Sequence, residues 1–271
     1  MDAESDCICP KCLAKATESA QVAGIPRVDH GSPDTSGFTL VELLVTIAVI
    51  AILASLLLPV LSRSKLSALS TRCGSNLRQF SYASQMYSDD NSGTTFAYSG
   101  TPTATGTAYW FGWLGQGAEG SRAFDPTTSP LYTYLHAMVS ICPAFNYSSA
   151  QFKLKAAGPT CDYGVNKYIS NPPINLRRLQ RPATLALMAD SAQVNTFETP
   201  ASPKNPMFEE WYYIDTETNQ PNGQFRHQLR ANTAFLDGHL GAEQMVPGSL
   251  DTRLPTQQIA LLRPVILSPA R

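Results

Sequence analysis

A single acidic residue, Glu42, lies near the start of a long apolar segment. The segment covers 24 residues, 38–61, and is interrupted only by Thr39, Glu42, Thr46, Ser55 and Pro59. As a helix rising ~1.5 Å per residue it would measure roughly 36 Å, enough to cross a bilayer core of about 30 Å. A carboxylate inside such a span is costly and needs a partner, so Glu42 is the first candidate functional residue.

A second candidate site lies near the C-terminus, where nine residues separate His227 from Asp237 and Gly238. The Asp-Gly pair stands between two strand-like runs, residues 233–236 and 239–242. Glycine tolerates the positive φ of a tight turn, so this pattern predicts a β-hairpin. Neighbouring strands would then bring His227 close to Asp237.

Three kinds of chemistry remain open for this pair. The favoured one is a hydrogen bond between His227 and Asp237 that locks the hairpin. The second is a metal site, with Asp190 or His239 as a further ligand to the same ion. Catalysis is the weakest of the three, because the sequence holds no Gly-x-Ser-x-Gly, His-Glu-x-x-His or phosphate-binding glycine loop.

The six cysteines fall into two groups. Cys73, Cys142 and Cys161 follow the apolar segment, and in an oxidising compartment they allow three possible single disulfides. Cys7, Cys9 and Cys12 lie near the start, where Cys9 and Cys12 have the spacing of a zinc knuckle. A second cysteine pair is missing there. Cys7 and His30 could complete four ligands, but their spacing does not require it, so a segment that is removed with the leader is favoured.

The helix that begins with the apolar segment is expected to continue to about residue 88. A stripe of mostly apolar residues recurs at steps of three, four and seven: Leu66, Leu69, Cys73, Leu77, Phe80 and Tyr87. Residues 89–93, Asp-Asp-Asn-Ser-Gly, then form a cluster of turn residues. A helix-terminating turn is favoured over a calcium loop, because no acid stands where a full EF-hand loop would end.

The remaining residues, 94–271, form a stretch of short β-prone runs separated by Pro, Gly and Asn clusters. Candidate strands are residues 107–111, 185–189, 211–214 and 233–236. About 178 residues suffice for a hydrophobic core of their own. The formal net charge of −1, with 15% charged residues, indicates no basic surface for nucleic acid.

The residues before the apolar segment do not form an ordinary secretory signal. They carry six acidic and three basic residues, whereas a secretory signal begins with a basic region. The apolar segment is also longer than the 7–15 residues typical of such signals. By charge bias alone its orientation would be ambiguous or reversed. Dedicated machinery would set the orientation, or translation would start downstream of Met1.

Residues 37–44, Gly-Phe-Thr-Leu-Val-Glu-Leu-Leu, resemble the cleavage and methylation signature of type IV prepilins and type II secretion pseudopilins. The resemblance implies that a membrane-embedded prepilin peptidase cuts between Gly37 and Phe38 and methylates the new amine of Phe38. It also implies that Glu42 of one subunit neutralises the Phe38 amine of its neighbour in a filament. Pro59 fits as well, since many pilins carry a helix-disrupting proline in this region.

The spacing of His227, Asp237 and Gly238 resembles the His-x9-Asp-Gly signature of a prepilin-like family. Further matching segments occur in order along the chain, at residues 73–79, 141–143, 163–166 and 189–191. Because Cys73 and Cys142 both fall in these segments, the resemblance favours their pairing, which would join the helix to the following domain. A Cys142–Cys161 bridge is the runner-up.

Together these features predict an α+β, pilin-like protein: a long N-terminal helix packed against an antiparallel β-sheet head. We expect a leader (1–37), a transmembrane helix (38–61), its continuation and turn (62–93), and an exported head (94–271). The resemblance implies a structural subunit of a pseudopilus or pilus in the inner membrane, with no cofactor and no enzymatic activity. Its implied partners are prepilin peptidase, other pilin subunits and an assembly platform. The alternative is a membrane-anchored, metal-dependent binding or hydrolytic domain built around His227 and Asp237.

Overall fold

The structure is a computed structural model that describes residues 37–135 and 141–268. The cysteine cluster at residues 7–12 therefore lies outside the described residues. The chain divides into two compact units, Met1–Ile52 and Leu53–Arg271. The described part of the first unit is the start of helix α1 with the residues just before it. The second unit contains the rest of α1 and all the strands.

Helix α1 runs from Leu40 to Asp90 without a break at Pro59. Its 51 residues correspond to a length of roughly 76 Å at ~1.5 Å per residue. Every residue from 37 to 68 is exposed, and burial begins only with Leu69. Leu66, the first residue of the predicted stripe, is 49% exposed and lies outside the packed part of the helix.

The buried face of α1 begins at Cys73 and includes Leu77, Phe80 and Ala83. Phe80 makes edge-on ring contacts with Trp110 and Tyr163, at centroid distances of 5.3 and 5.6 Å. These contacts place the second half of the helix against the core of the β-rich region. Because the stripe follows the helical period, one face of α1 is buried while the opposite face stays in solvent.

The turn after α1 is the predicted helix-terminating turn. The Gly93 N–H donates to the Ser88 carbonyl at 2.7 Å, and Gly93 adopts a φ of +84°. Such a left-handed residue closes the exposed carbonyls at the end of a helix. Asp90 is the last residue of the helix and accepts a hydrogen bond from the Tyr134 hydroxyl.

The β-rich region holds twelve short strands and three one-turn helices among its described residues. The strands are β1 (Gly106–Tyr109), β2 (Gly112–Gly115), β3 (Phe124–Asp125), β4 (Tyr163–Asn166), β5 (Ala186–Asp190), β6 (Gln193–Asn195), β7 (Met207–Glu209), β8 (Tyr213–Ile214), β9 (Gly223–Gln224), β10 (Arg230–Phe235), β11 (Leu240–Gln244) and β12 (Ile259–Ala260). The short helices are α2 (Tyr132–Leu135), α3 (Lys167–Ser170) and α4 (Pro264–Leu267).

The main sheet has five strands in the order β11-β10-β5-β4-β8. All neighbours in it are antiparallel except β4 and β8, which run parallel, so the sheet is mixed and not wholly antiparallel. All of β5 is buried, because it lies between two hydrophobic core clusters. Leu187 and Met188 belong to one cluster, and Ala186 and Ala189 belong to the other. This α+β arrangement of one long helix and a sheet is the predicted pilin-like architecture.

Candidate functional sites

The start of α1 is built as a capping box around Thr39 and Glu42. The Thr39 backbone N–H and hydroxyl both donate to Glu42 Oε2, at 2.8 and 2.7 Å. In return, the Glu42 N–H donates to the Thr39 hydroxyl oxygen at 3.2 Å. A Thr-x-x-Glu pattern does this because the first backbone donors of a helix have no partner within the helix.

Glu42 therefore has a partner inside its own chain. The family resemblance implies a role for Glu42 only between subunits; the contact with Thr39 is signalled instead by the Thr-x-x-Glu spacing. The capped helix presents an apolar surface on all sides over the residues that follow. Within the described residues, α1 is long and apolar enough to cross a membrane.

The hairpin predicted at Asp237-Gly238 is present, with β10 and β11 paired so that Ala234 faces Leu240. Gly238 adopts a φ of +91°. Its backbone approaches α1, since a side-chain carbon at this glycine would stand 3.3 Å from Gln85 Nε2. The hairpin tip thus contacts the helix, and glycine satisfies both the turn and this close approach.

The predicted hydrogen bond between His227 and Asp237 is wrong. Asp237 is exposed and instead accepts from His239, with 2.6 Å between Asp237 Oδ1 and His239 Nδ1. His227 is buried just before β10, and its Nε2 lies 3.4 Å from Asp190 Oδ2. The two members of the motif have different partners because the chain turns at residues 228–229, both at positive φ, before β10 starts.

The alternative of a metal site built from His227 and Asp237 is not assembled for the same reason. A different set of potential ligands surrounds His227, because its Nε2 lies 3.4 Å from Cys142 Sγ, with Cys73 next to it. Those two sulfurs form a disulfide, at an S–S distance of 1.93 Å, and are therefore not free to bind a metal. Cys73–Cys142 is the pair that the family resemblance favours. Cys161 is a buried free thiol.

Next to the disulfide, Arg226 lies between two fully buried carboxylates. Its Nη2 is 2.8 Å from Asp190 Oδ1 and 3.6 Å from Asp162 Oδ2. Asp190 also accepts from the Asn232 backbone N–H at 2.7 Å, and Asp162 accepts from the Cys142 N–H at 2.9 Å. One guanidinium thus holds together β5, the residue before β4 and the loop that carries the disulfide.

Burial dominates the protonation of this cluster. It raises the pKa of Asp162 to about 7, although the nearby positive charge of Arg226 acts in the opposite direction. Burial also lowers the pKa of His227, whose Nδ1 has no hydrogen-bond partner among the described residues. A single positive charge shared by two carboxylates favours a proton on the more weakly bonded one, Asp162. Among the described residues both carboxylates are fully buried and paired, so we interpret the cluster as structural.

The raised pKa of Asp162 predicts a specific pH dependence of stability. Between the ordinary value of 3.8 and about 7, the folded chain holds a proton that the unfolded chain has lost. Rising pH therefore favours unfolding across this window, by on the order of 1 kcal/mol per pH unit for this group. We expect Asp162→Asn to remove this contribution, because asparagine can still accept from the Cys142 N–H.

The free energy of unfolding is measured between pH 4.5 and 7.5 for wild type and Asp162→Asn, with tryptophan fluorescence as the signal for unfolding. His227 contributes the opposite slope, because its lowered pKa favours folding as pH rises, and it does so in both. The difference between the two curves therefore isolates Asp162. Equal slopes in wild type and Asp162→Asn would contradict the assignment.

Comparison with known proteins bears on the helix start. Residues 33–58 match the family model described as the prokaryotic N-terminal methylation motif. No curated protein and no solved structure matches the chain. The matched residues contain Gly37, Phe38, the Thr39–Glu42 capping box and most of the apolar segment. The chain therefore carries a prepilin-type N-terminal signature on a pilin-like α+β architecture.

Proposed function

We propose that this protein is a pilin or pseudopilin subunit of a type IV pilus or a type II secretion-like pseudopilus. Prepilin peptidase cuts between Gly37 and Phe38 and methylates the Phe38 amine. The mature chain is held in the inner membrane by residues 38–61, with the head exported, and then assembles with other subunits. The observation that carries the proposal is the methylation motif at the start of a fully exposed apolar helix.

The geometry around the proposed cleavage bond supports processing. Gly37 and Phe38 precede the helix, and a side-chain carbon at Gly37 would meet no atom within 4 Å. A peptidase needs an extended, accessible backbone, which a hydrogen-bonded helix does not offer. The capping box starts the helix immediately after this bond, and the scissile segment stays outside it.

Exposure of the apolar half of α1 supports assembly. Large side chains on every face of the helix, among them Leu44, Ile50 and Leu57, are more than half exposed. Such a surface is stable in lipid before assembly and against the helices of other subunits afterwards, because both remove it from water. Residues 69–90 of α1 pack on the head instead, so the head would move with α1 when α1 packs against the helices of other subunits.

The disulfide and the hairpin support a rigid attachment of helix α1 to the head. Cys73 is bonded to Cys142, and Gln85 Nε2 donates to the Leu236 carbonyl at 3.4 Å. These contacts lie about three helical turns apart, so the helix is fixed at two points. The proposed role is structural, with no reaction assigned to the head.

Mass spectrometry of the mature N-terminus tests the proposal. In cells with an active prepilin peptidase we expect a chain that begins at N-methylated Phe38. A Gly37→Leu variant should keep its leader, because the peptidase site no longer fits the bulkier residue. A wild-type chain that keeps an intact leader, or that begins at another residue, would overturn the proposal.

A further inference from the structure

A lysine in the head, Lys153, has its side chain enclosed among carboxylates. Only 1% of that side chain is exposed, although lysine is among the residues least often buried. Lys153 Nζ contacts Glu119 Oε2 and donates to Glu209 Oε2 at 3.1 Å. The two glutamate side chains are themselves only 7% and 3% exposed.

Backbone pairing holds the three side chains in place. The Lys153 N–H donates to the Phe208 carbonyl at 2.8 Å, which sets Lys153 beside β7, the strand that ends at Glu209. Glu119 lies in the loop between β2 and β3. That loop is fixed to the same segment, because the Ala157 N–H donates to the Arg122 carbonyl at 3.0 Å. The amine and the Glu119 carboxyl therefore meet through pairing that does not depend on their charges.

Keeping this cluster ionised is costly. Moving an ammonium and a carboxylate out of water costs several kcal/mol each, and their attraction repays that cost only in part. An amide between them carries no net charge and removes both ions from the interior. Fixed contact between two reacting groups can also correspond to an effective concentration of about 10⁵ M or more.

We propose that Lys153 and Glu119 are joined by an intramolecular amide bond. Lys153 Nζ gives one proton to the Glu119 carboxylate and, as its lone pair attacks Glu119 Cδ, gives a second proton to Glu209 Oε2. The Cδ–O bond breaks, and the departing hydroxide takes the proton from Glu209 and leaves as water. Ammonium plus carboxylate becomes amide plus water, so the step needs no oxidant and no other reactant. Glu209 acts as the acid–base catalyst, since it lies within hydrogen-bond reach of the amine.

The bond would be a second covalent tie in the head, independent of the disulfide. It would join the β2–β3 loop to Lys153, which lies between Cys142 and Cys161 in the segment before β4. Unlike a disulfide it would survive reducing conditions. A subunit under tension in a filament would gain resistance to local opening of these loops.

Tryptic peptide mapping of the purified, reduced full chain tests the proposal. If the amide is absent, trypsin cuts after Lys153 and releases linear peptides 79–122 and 123–153. If it is present, Lys153 is not cut. A branched peptide then joins residues 79–122 to residues 123–155, with a mass one water below the sum of its parts. We expect the branched peptide in place of the two linear ones, with fragmentation placing the link at Glu119 and Lys153.

Three variants separate the proposed chemistry from an ion pair. Lys153→Arg should give only linear peptides, whereas Lys155→Arg, at the neighbouring buried lysine, should keep the branch. Glu209→Gln should leave the Lys153–Glu119 contact but abolish or strongly slow bond formation. Linear peptides 79–122 and 123–153 from the wild-type chain would overturn the proposal. A link from Lys153 to any residue other than Glu119 would do the same.

Discussion

Glu42→Gln is expected to be cut and methylated normally but to be strongly depleted from assembled filaments. Glutamine can still accept the hydrogen bonds of Thr39, so the capping box and the helix start survive. What it loses is the negative charge. Under the proposed function, that charge neutralises the methylated amine of a neighbouring Phe38 within an apolar helix bundle. An unpaired cation left in such a bundle would be costly, so we expect assembly to fall at least tenfold.

Two further variants separate charge from capping. Thr39→Val removes the hydroxyl from the capping box and keeps the carboxylate of Glu42, so it should still assemble. Glu42→Ala removes both functions, and we expect it to be processed but not incorporated. The readout is the ratio of subunit in sheared filaments to subunit in the membrane, with the mature N-terminus checked by mass. Normal assembly of Glu42→Gln together with failure of Glu42→Ala would show that capping, not charge, is what assembly requires.

The capping box also supplies hydrogen-bond donors to Glu42 before cleavage. A membrane-embedded carboxylate without a partner is unfavourable, and Thr39 supplies two donors within the same chain. When a neighbouring amine approaches in a filament, the carboxylate would exchange or share these local donors. Such an exchange would keep the Glu42 carboxylate paired with a donor or a cation both in the membrane and in the filament.

The features that the sequence predicted correctly depend on local patterns. The long helix follows from the apolar run and the stripe through Cys73, Leu77 and Phe80. The hairpin follows from Asp237-Gly238, because only the local backbone decides such a turn. The helix end follows from Gly93 in the same way.

The sequence named Asp190 beside His227 only as a further ligand of a metal site, and did not predict their direct contact, because that contact depends on the order of strands in the sheet. Asp190 lies at the end of β5, which pairs with β10 as well as with β4, and nothing in the spacing indicates that arrangement. The buried charges of Lys153 and Arg226 were missed for the same reason. A lysine or arginine in an irregular segment normally stays in water, and only long-range pairing buries it here.

The largest loss of stability is expected on removing Arg226, the guanidinium between Asp162 and Asp190. Arg226→Met keeps much of the side-chain volume. It leaves two fully buried carboxylates without the cation that lies between them. Breaking a buried pair in this way costs about 3–5 kcal/mol. Asp162 can take up a proton and soften the loss, whereas Asp190 would keep only its contacts with Asn232 and His227.

Arg263 offers a control, because it also forms an arginine–carboxylate contact: its Nε and Nη2 donate to Glu243 Oε2 at 2.9 and 2.6 Å. Its side chain is 53% exposed, however, against 4% for Arg226. A solvent-exposed pair contributes about 0–1 kcal/mol, so Arg263→Met should have little effect. All three tryptophans, Trp110, Trp113 and Trp211, lie in the β-rich region, so their fluorescence reports its unfolding in denaturant.

A second substitution identifies the cause of the loss. Adding Asp190→Asn to Arg226→Met removes the carboxylate that has lost its closest cation. If burial of an uncompensated charge is what destabilises Arg226→Met, the double variant should recover a measurable part of the loss, so the two effects will not be additive. Fully additive effects would mean that Arg226 stabilises the region through packing against Phe145 and Tyr163, over whose rings its guanidinium lies. Equal losses of unfolding free energy for Arg226→Met and Arg263→Met would show that burial of the ion pair does not explain the contribution of Arg226 to stability.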